Sequence, residues 1–450
     1  MIRLAILEET ARALRNELLR DDSVEQGAFC LLRRGKGHEG VRLLVTETLS
    51  PPLDTWEYQE SDMLRPSARW ISAAISQAIN ARAGLLFVHS HPNPNHPLGL
   101  SLVDIKSFHS LAETIAPILE GAFAAAVVHP EGWAGVVWSD REIVEIDRIV
   151  SVGRTLTFLS PTPETVQSAL DDRQRDALGV VHDRVRALTV GLVGAGGLGS
   201  LVAEQLVRMG VLEVVTVDHD FIDTDSNVRR VFGARISDLR GKSTKVNVLF
   251  RHLTDIGLDV RIRSIQCDVR REAAFRHLLD ADVVISATDT HGSRAIINEL
   301  ASTYLLPVVD VGVRVSAKLK NRLAGLLAEI RVLTPTTPCL WCRKTINADT
   351  IRTENLPVQE RERLQREGYV VGSVGSPTPS VAALTVLGSG LATSALLALL
   401  SEEGEVVPSC YWVDGFLGDS GLSALDHPQS DCRCRQQVGL GDSAAPSFMP

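Results

Sequence analysis

From residue 188 onward the chain alternates strand-like apolar runs with helical segments, and this alternation constrains the fold more than any other feature of the sequence. The run 188–193 is followed by a helix from Leu198, a run over 214–218, a helix from Lys242, a run over 260–265, a helix over 271–280 and a run over 283–287. Short apolar runs separated by helices predict strands buried on both faces, which is a parallel sheet with helices on each side. The fold class is therefore α/β. Gly194-Ala195-Gly196-Gly197-Leu198-Gly199 joins the first of these strands to its helix. Such a turn lets backbone N–H groups approach phosphate at a helix N-terminus. Asp218 and Asp220 end the next strand, where a carboxylate can hold ribose hydroxyls.

Taken alone, the glycine turn reads as a dinucleotide site, and NAD stays open at that point. The residues that follow point elsewhere. Asn227-Val228-Arg229-Arg230 comes directly after the acidic pair, Gly241-Lys242-Ser243-Thr244-Lys245 opens a helix, and Val283-Val284-Ile285-Ser286-Ala287-Thr288-Asp289 ends a strand. Two cations and a carboxylate on one sheet edge suit a triphosphate with magnesium better than a nicotinamide. The set resembles the adenylation domain of the ThiF and ubiquitin-activating family, which reads G-x-G-G-x-G, D-x-D, N-x-x-R, a helical lysine and a strand-end aspartate. Its D-x-x-x-x-R-x-x-x-N is present as Asp289, Arg294 and Asn298, and Pro307-Val308-Val309-Asp310-Val311-Gly312 fits its next strand. The resemblance runs from about 170 to 435. It implies ATP and Mg2+ bound by Gly194, Gly196, Gly197, Gly199, Asp218, Asp220, Asn227, Arg230, Lys245 and Asp289. Asp220 would hold ribose, Asn227, Arg230 and Lys245 the phosphates, and Asp289 the magnesium. The asparagine falls one residue later than in the usual family pattern. Arg173, in Asp172-Arg173-Gln174, would reach the γ-phosphate of the partner subunit, which makes a homodimer the expected working unit.

A different chemistry is written into the first third of the chain. The apolar run Leu85-Leu86-Phe87-Val88 leads into His89-Ser90-His91-Pro92, and Ser101-Leu102-Val103-Asp104 follows after nine intervening residues. Two histidines two apart at a strand end point the same way. Ser101 caps a helix with Asp104 on its first turn. Two imidazoles, a carboxylate and an open fourth position make a catalytic zinc site that holds water. The order H-x-H-P then S-x-x-D resembles the JAMM motif of the MPN (JAB) metalloprotease family. That resemblance implies His89, His91 and Asp104 as zinc ligands, Glu25 in Glu25-Gln26-Gly27 as general base and Ser101 as oxyanion support. The gap from His91 to Ser101 is two residues longer than the commonest form and brings in His96 as an alternative third ligand.

Seven cysteines in a chain of 450 residues do not read as a disulfide framework. Cys339, Cys342, Cys432 and Cys434 instead supply a C-x-x-C and a C-x-C, a spacing that predicts a structural Zn2+ knuckle or, failing that, free thiols. Ubiquitin-activating enzymes carry a thioester cysteine in the loop after the first zinc pair, and none lies between Arg343 and Ser380. Cys30, Cys267 and Cys410 read as inert core thiols. The net charge of −9, with no like-charge block, gives no reason to expect nucleic acid. The uncharged stretch 381–400 is long enough to cross a bilayer. Its glycines, serines and threonines read instead as a buried helix packing through small residues, so no membrane and a cytoplasmic location are expected.

The organisation expected is an MPN (JAB)-like mixed α/β domain over 1–155, a linker over 156–172, a Rossmann-like ThiF-type adenylation domain over 173–438 with a parallel-rich sheet and a four-cysteine zinc knuckle, and a flexible tail over 439–450. The first domain opens with a helix, continues with strands over 27–32 and 41–47, a helix over 67–82, a strand over 85–88, a helix near 103–118 and strands over 123–128 and 135–138. Both resembled families act on the C-terminal tail of a ubiquitin-like β-grasp protein. The resemblance therefore implies ATP-dependent adenylation of the tail's glycine carboxylate, joined to a zinc (iso)peptidase that trims the tail or removes conjugates, with a conjugating-type carrier enzyme as a further partner. Two alternatives stay open: adenylation of a sulfur-carrier protein, and an MPN domain that only binds.

Overall fold

Gly27–Lys36 sends alternate side chains to opposite faces, and the layers of the N-terminal unit follow from that alternation. Ala28, Cys30 and Leu32 join Leu4, Ile6, Leu14 and Leu18 in one core, whereas Phe29 and Leu31 join Trp70, Ala74, Phe108, Ala112 and Ile115 in another. A central sheet is thus covered on one side by the helix Glu8–Leu18 and on the other by Ala68–Asn80 and Leu102–Ile115. The sheet has nine strands in the order Leu156–Phe158, Arg148–Val152, Ile2–Leu7, Val41–Val45, Gly27–Lys36, Gly84–Ser90, Phe123–His129, Gly132–Ser139, Glu142–Glu145. Each fully buried large aliphatic or aromatic side chain in these cores contributes roughly 1.5–3 kcal/mol.

The computed structural model describes residues 1–20, 24–61, 63–162, 168–319, 322–367, 380–401, 408–423, 427–444 and 448. The chain divides into two units, Met1–Pro163 with Thr303–Leu305 and Gln437–Pro446, and Glu164–Ser302 with Leu306–Gln436 and Ser447–Pro450.

Three expectations about the first unit need correction. The chain opens with a strand, Ile2–Leu7, and the helix begins only at Glu8. Ile2–Leu7 pairs in parallel with both Arg148–Val152 and Val41–Val45, and burial on both faces hides any strand alternation. Leu156–Phe158, placed in the linker, pairs antiparallel with Arg148–Val152 as the edge of the sheet. The segment expected as a free tail from 439 carries a 3-10 turn, Gly441–Ser443, within this unit. There the Asp442 carboxylate accepts the Lys36 backbone N–H at 2.8 Å and the Tyr304 hydroxyl at 3.1 Å.

In the second unit the strands Arg261–Ile265, Glu213–Val217, Thr189–Val193, Val283–Ser286 and Val308–Leu319 lie side by side in that order, all parallel. The chain order reverses between Thr189–Val193 and Val283–Ser286, the switch point where open α/β sheets bind ligands. Beyond them the sheet continues antiparallel through Arg322–Leu333, Cys410–Asp414 and Asp419–Leu422. The uncharged helix Ala382–Leu399 is the one described helix apolar and long enough to cross a membrane. It packs on the helix Gly197–Met209 through its small residues. A Cβ at Gly388 would lie 2.9 Å from Leu198, and Gln205 donates to Ser389 at 2.9 Å and accepts from Thr393 at 2.7 Å.

Candidate functional site

In the first unit, strand register brings the candidate metal residues together. Gly27 pairs with His89 across the antiparallel strands Gly27–Lys36 and Gly84–Ser90. Continuing that register places Glu25 opposite His91, and the Ser90 backbone N–H still donates to Gln26 at 2.9 Å. Glu25 Oε1 lies 3.7 Å from His91 Nε2, both side chains being buried. His89 and His91 share a sheet face, and the helix Leu102–Ile115 covers that face with Asp104 on its first turn. His89 Nε2 faces Asp104 Oδ1 at 3.4 Å and His91 Nε2 faces Asp104 Oδ2 at 3.4 Å.

Zinc bonds of about 2.0–2.1 Å to nitrogen and oxygen give a tetrahedron with edges of about 3.4 Å, so these donors fit a zinc ion. The buried Nδ1 of His89 has no hydrogen-bond partner. Burial opposes the Asp104 charge, yet the two imidazoles outweigh it and hold the carboxyl well below the usual carboxylate range. Burial likewise pulls His91 down, while Asp104 and Glu25 raise it by more. Ser101 closes a capping box. Its Oγ accepts the Asp104 backbone N–H at 3.1 Å, and Asp104 Oδ2 accepts the Ser101 N–H at 2.7 Å. His96 is exposed and outside the cluster of possible metal ligands.

In the second unit the cysteines Cys339, Cys342, Cys432 and Cys434 converge. Cys339 Sγ lies 3.6 Å from Cys342 and from Cys432, and Cys342 lies 3.8 Å from Cys434. Zinc–sulfur bonds of about 2.3 Å give sulfur–sulfur edges of about 3.8 Å, so the donor set fits Zn2+. The neighbouring Cys434, which outweighs burial, lowers the Cys339 thiol from its ordinary value. Backbone N–H groups of Cys342 and Gln429 point at the sulfurs, at 3.5 and 3.4 Å.

At the switch point of the same unit a cavity of about 1280 Å³ opens beside the glycine turn. Gly194 has φ +99°, and a Cβ there would meet the Ala287 carbonyl oxygen at 2.6 Å. At Gly199 a Cβ would lie 1.8 Å from the Gly194 oxygen, so helix and strand approach only because both are glycine. Gly196 and Gly197 line the cavity, as do Asp218, Asp220, Asn227, Arg230, Lys245 and Asp289. Several of these groups are already engaged. Asp218 accepts the N–H groups of Ala195 at 2.7 Å and Asp220 at 2.8 Å, which shapes the turn. Lys245 Nζ is paired with Asp220 Oδ2 at 2.6 Å. Asn227 is buried, donates to Phe221 O at 3.0 Å and accepts from Thr224 and Arg230. Its amide is thereby committed to the loop. Asp289 is exposed at the cavity wall. Arg173 is exposed on the helix Asp172–Leu178 and does not line the cavity of its own chain.

Sequence reasoning missed two further groups here. Asp310 is fully buried between Arg294 (3.2 Å) and Arg331 (2.9 Å) and accepts from Ser286 at 2.9 Å. Both arginines line the cavity, and Arg331 also pairs with Glu329. Glu354, at the end of the helix Ala348–Glu354, accepts the N–H groups of His291 (2.9 Å) and Gly292 (2.7 Å) and so caps the helix His291–Thr303. Only Arg294 and Asp310 carried a sequence signal, as members of a motif. Cys267, read as inert core, is partly exposed and lines the cavity as well.

A parallel sheet with a glycine turn at its switch point defines a Rossmann-like nucleotide fold. Residues 172–434 match the ThiF family, and the chain belongs to that family. Over 151 residues it is 32% identical to the sulfur carrier protein ThiS adenylyltransferase of Bacillus subtilis, covering 34% of this chain and 42% of that protein. Over 206 residues it is 29% identical to ubiquitin-like modifier-activating enzyme 5 of Drosophila persimilis, covering 43% of this chain and 49% of that protein. The chain spans about half the length of the curated relatives it matches. A crystal structure of E. coli MccB with ATP aligns at TM-score 0.46 and 15% identity, covering 60% of this chain and 74% of that one.

Proposed function

We propose that the second unit adenylates the C-terminal glycine carboxylate of a ubiquitin-like protein at the expense of ATP. The observation that carries this reading is the cavity at the switch point of a ThiF-family chain, with Gly196, Gly197, Asp220, Arg230 and Asp289 on its walls. The tail carboxylate oxygen bonds to the α-phosphorus, the bond to the β-phosphate oxygen breaks, and pyrophosphate leaves with that electron pair. Asp289 would hold Mg2+, which supplies neutralising charge on the phosphates when bound. Arg230, and Arg173 from a partner subunit, add fixed positive charge as pyrophosphate forms. Lys245 Nζ holds Asp220 Oδ2 and retains two further N–H donors, so both groups can face the nucleotide with the pair intact. No cysteine occupies 343–380, which favours transfer of the adenylate to a separate thiol, either a carrier enzyme or a sulfur donor.

The first unit is read as an MPN (JAB)-like zinc (iso)peptidase acting on the same tail. His89, His91 and Asp104 would hold a zinc ion, which when bound would supply Lewis-acid activation of water. Glu25, 3.7 Å from His91, would take a proton from that water, and the Ser101 hydroxyl, which accepts the Asp104 N–H, would donate to a developing oxyanion. A candidate ubiquitin-like protein incubated with the chain, with and without Mg-ATP, tests both halves by intact mass. Adenylate formation lost in Asp289→Ala and tail trimming lost in Glu25→Gln are the expected outcomes. Trimming that persists in Glu25→Gln would remove Glu25 as the general base, and no trimming by the wild-type chain would reduce the first unit to a binding module.

A further inference from the structure

The cavity contains more cations than it has free charge. Lys245 is neutralised by Asp220 at 2.6 Å, Arg270 by Asp268 at 2.6 Å, and Arg294 and Arg331 by Asp310 together with Glu329. Arg230 makes no ion pair among the described residues, giving its protons to Ser226 O at 3.3 Å and Asn227 Oδ1 at 3.4 Å. Arg314, exposed at the cavity wall, and Arg361 are further such cations, and of these Arg361 is the more enclosed. It lines the same cavity from the helix Val358–Arg366, it is half-buried, and its Nε is shielded from solvent without a hydrogen-bond partner among the described residues.

An unsatisfied buried donor on a guanidinium costs free energy that an anionic acceptor would return. The position is also held in advance. Glu354 fixes the preceding helix by accepting the His291 and Gly292 N–H groups, and Arg270 Nη1 donates to Asn355 at 3.0 Å. The helix bearing Arg361 starts at Val358, directly after this anchor.

We propose that Arg361 is a substrate-binding residue that receives the β- and γ-phosphates of ATP from the same chain. The proposal rests on the adenylation reading and adds to Arg230 a further cavity-lining cation with no ion pair among the described residues. Magnesium neutralises only part of a triphosphate, and the remainder requires cations not already matched by a protein carboxylate. Lys245 is so matched, whereas Arg230, Arg314 and Arg361 have no carboxylate partner among the described residues. A guanidinium presents a fork suited to bidentate contact with phosphate oxygens. As the α–β bond breaks, the charge moves onto the departing pyrophosphate, where such a fork binds more tightly than in the ground state.

The test is nucleotide binding by the full chain, measured by titration calorimetry with Mg-ATP and, separately, with AMP, for wild type, Arg361→Ala and Arg361→Lys. The expected result is a loss of about tenfold or more in ATP affinity for Arg361→Ala, with AMP affinity kept within about twofold and Arg361→Lys intermediate. Equal loss for ATP and AMP would assign Arg361 to the structure of the cavity and overturn the proposal. So would unchanged ATP affinity accompanied by a raised KM for the carrier protein alone, since Arg361 would then serve the tail carboxylate. If Arg361→Ala does not fold, the ratio of ATP to AMP affinity in Arg361→Lys decides in the same way. A wild-type chain that binds neither nucleotide removes the adenylation reading and this proposal together, whereas ATP bound equally by wild type and Arg361→Ala removes only this one.

Discussion

Replacing Asp310 by asparagine takes from Arg294 its one carboxylate among the described residues, while Arg331 keeps Glu329. Asp310 is 0% exposed, Arg331 8% and Arg294 13%, so solvent screens this network little. Removing one partner of a buried ion pair costs about 3–5 kcal/mol, because the desolvated charge left behind has no counterion. The substituted amide keeps the shape and can still accept from Ser286, so the loss reflects charge rather than a cavity. One kcal/mol moves the melting temperature of a unit of this size by about 2–4 °C, which places the expected drop at about 6–20 °C. Differential scanning calorimetry of the full chain reads it as a shift confined to the transition of the second unit. Adding Arg294→Met to Asp310→Asn should recover part of the loss, since the cation left without a carboxylate is then gone. A loss below about 1 kcal/mol, or no recovery in the double variant, would refute the reasoning.

Other outcomes follow from the same geometry. Cys432→Ser should release the structural metal and lower the melting transition of the second unit, while His89→Ala should lower zinc content without that shift. Metal analysis by mass spectrometry alongside calorimetry separates the two. Gly199→Ala places a Cβ 1.8 Å from the Gly194 carbonyl oxygen and should abolish nucleotide binding, read by titration calorimetry; retained affinity would contradict the tight-turn account. The Asp238 carboxyl is held below its ordinary value of 3.8, chiefly by hydrogen bonds from Arg251 at 2.7 and 3.0 Å. Because its folded value is depressed, its contribution is complete above about pH 4 and is lost as pH falls through that lower value. The stability gap between wild type and Asp238→Asn, followed by urea unfolding, should therefore narrow below about pH 4 and stay constant above it.

The parts of this fold that are legible in the sequence are those written in local pattern. Parallel strands buried on both faces read as apolar runs, and Gly194 with Gly199 marks the strand-to-helix turn because no other residue fits there. His89 and His91 are legible because a strand's period of two puts them on one face. Glu25 depends on register, and the pairing of Gly27 with His89 supplies the reason it lies beside His91. Pairings between distant segments leave no such trace. Ile2–Leu7 reads as the start of an amphipathic helix because its partners come from 41–45 and 148–152. Asp442 reads as part of a frayed tail because Lys36 and Tyr304 are far away in sequence. The Lys245–Asp220 pair joins two residues that motif spacing assigns to separate parts of one ligand. Charge pairing across a site is a property of three-dimensional geometry, and motif spacing does not encode it.

The most direct test of the central claim is the intact mass of a ubiquitin-like protein with a C-terminal glycine after incubation with this chain and Mg-ATP. Pyrophosphate release is followed in the same reaction. The account predicts a species heavier by one adenylyl group, formed with stoichiometric pyrophosphate and absent with Asp289→Ala. Pyrophosphate formed without any adenylylated tail, or an adenylate that survives Asp289→Ala, would contradict it.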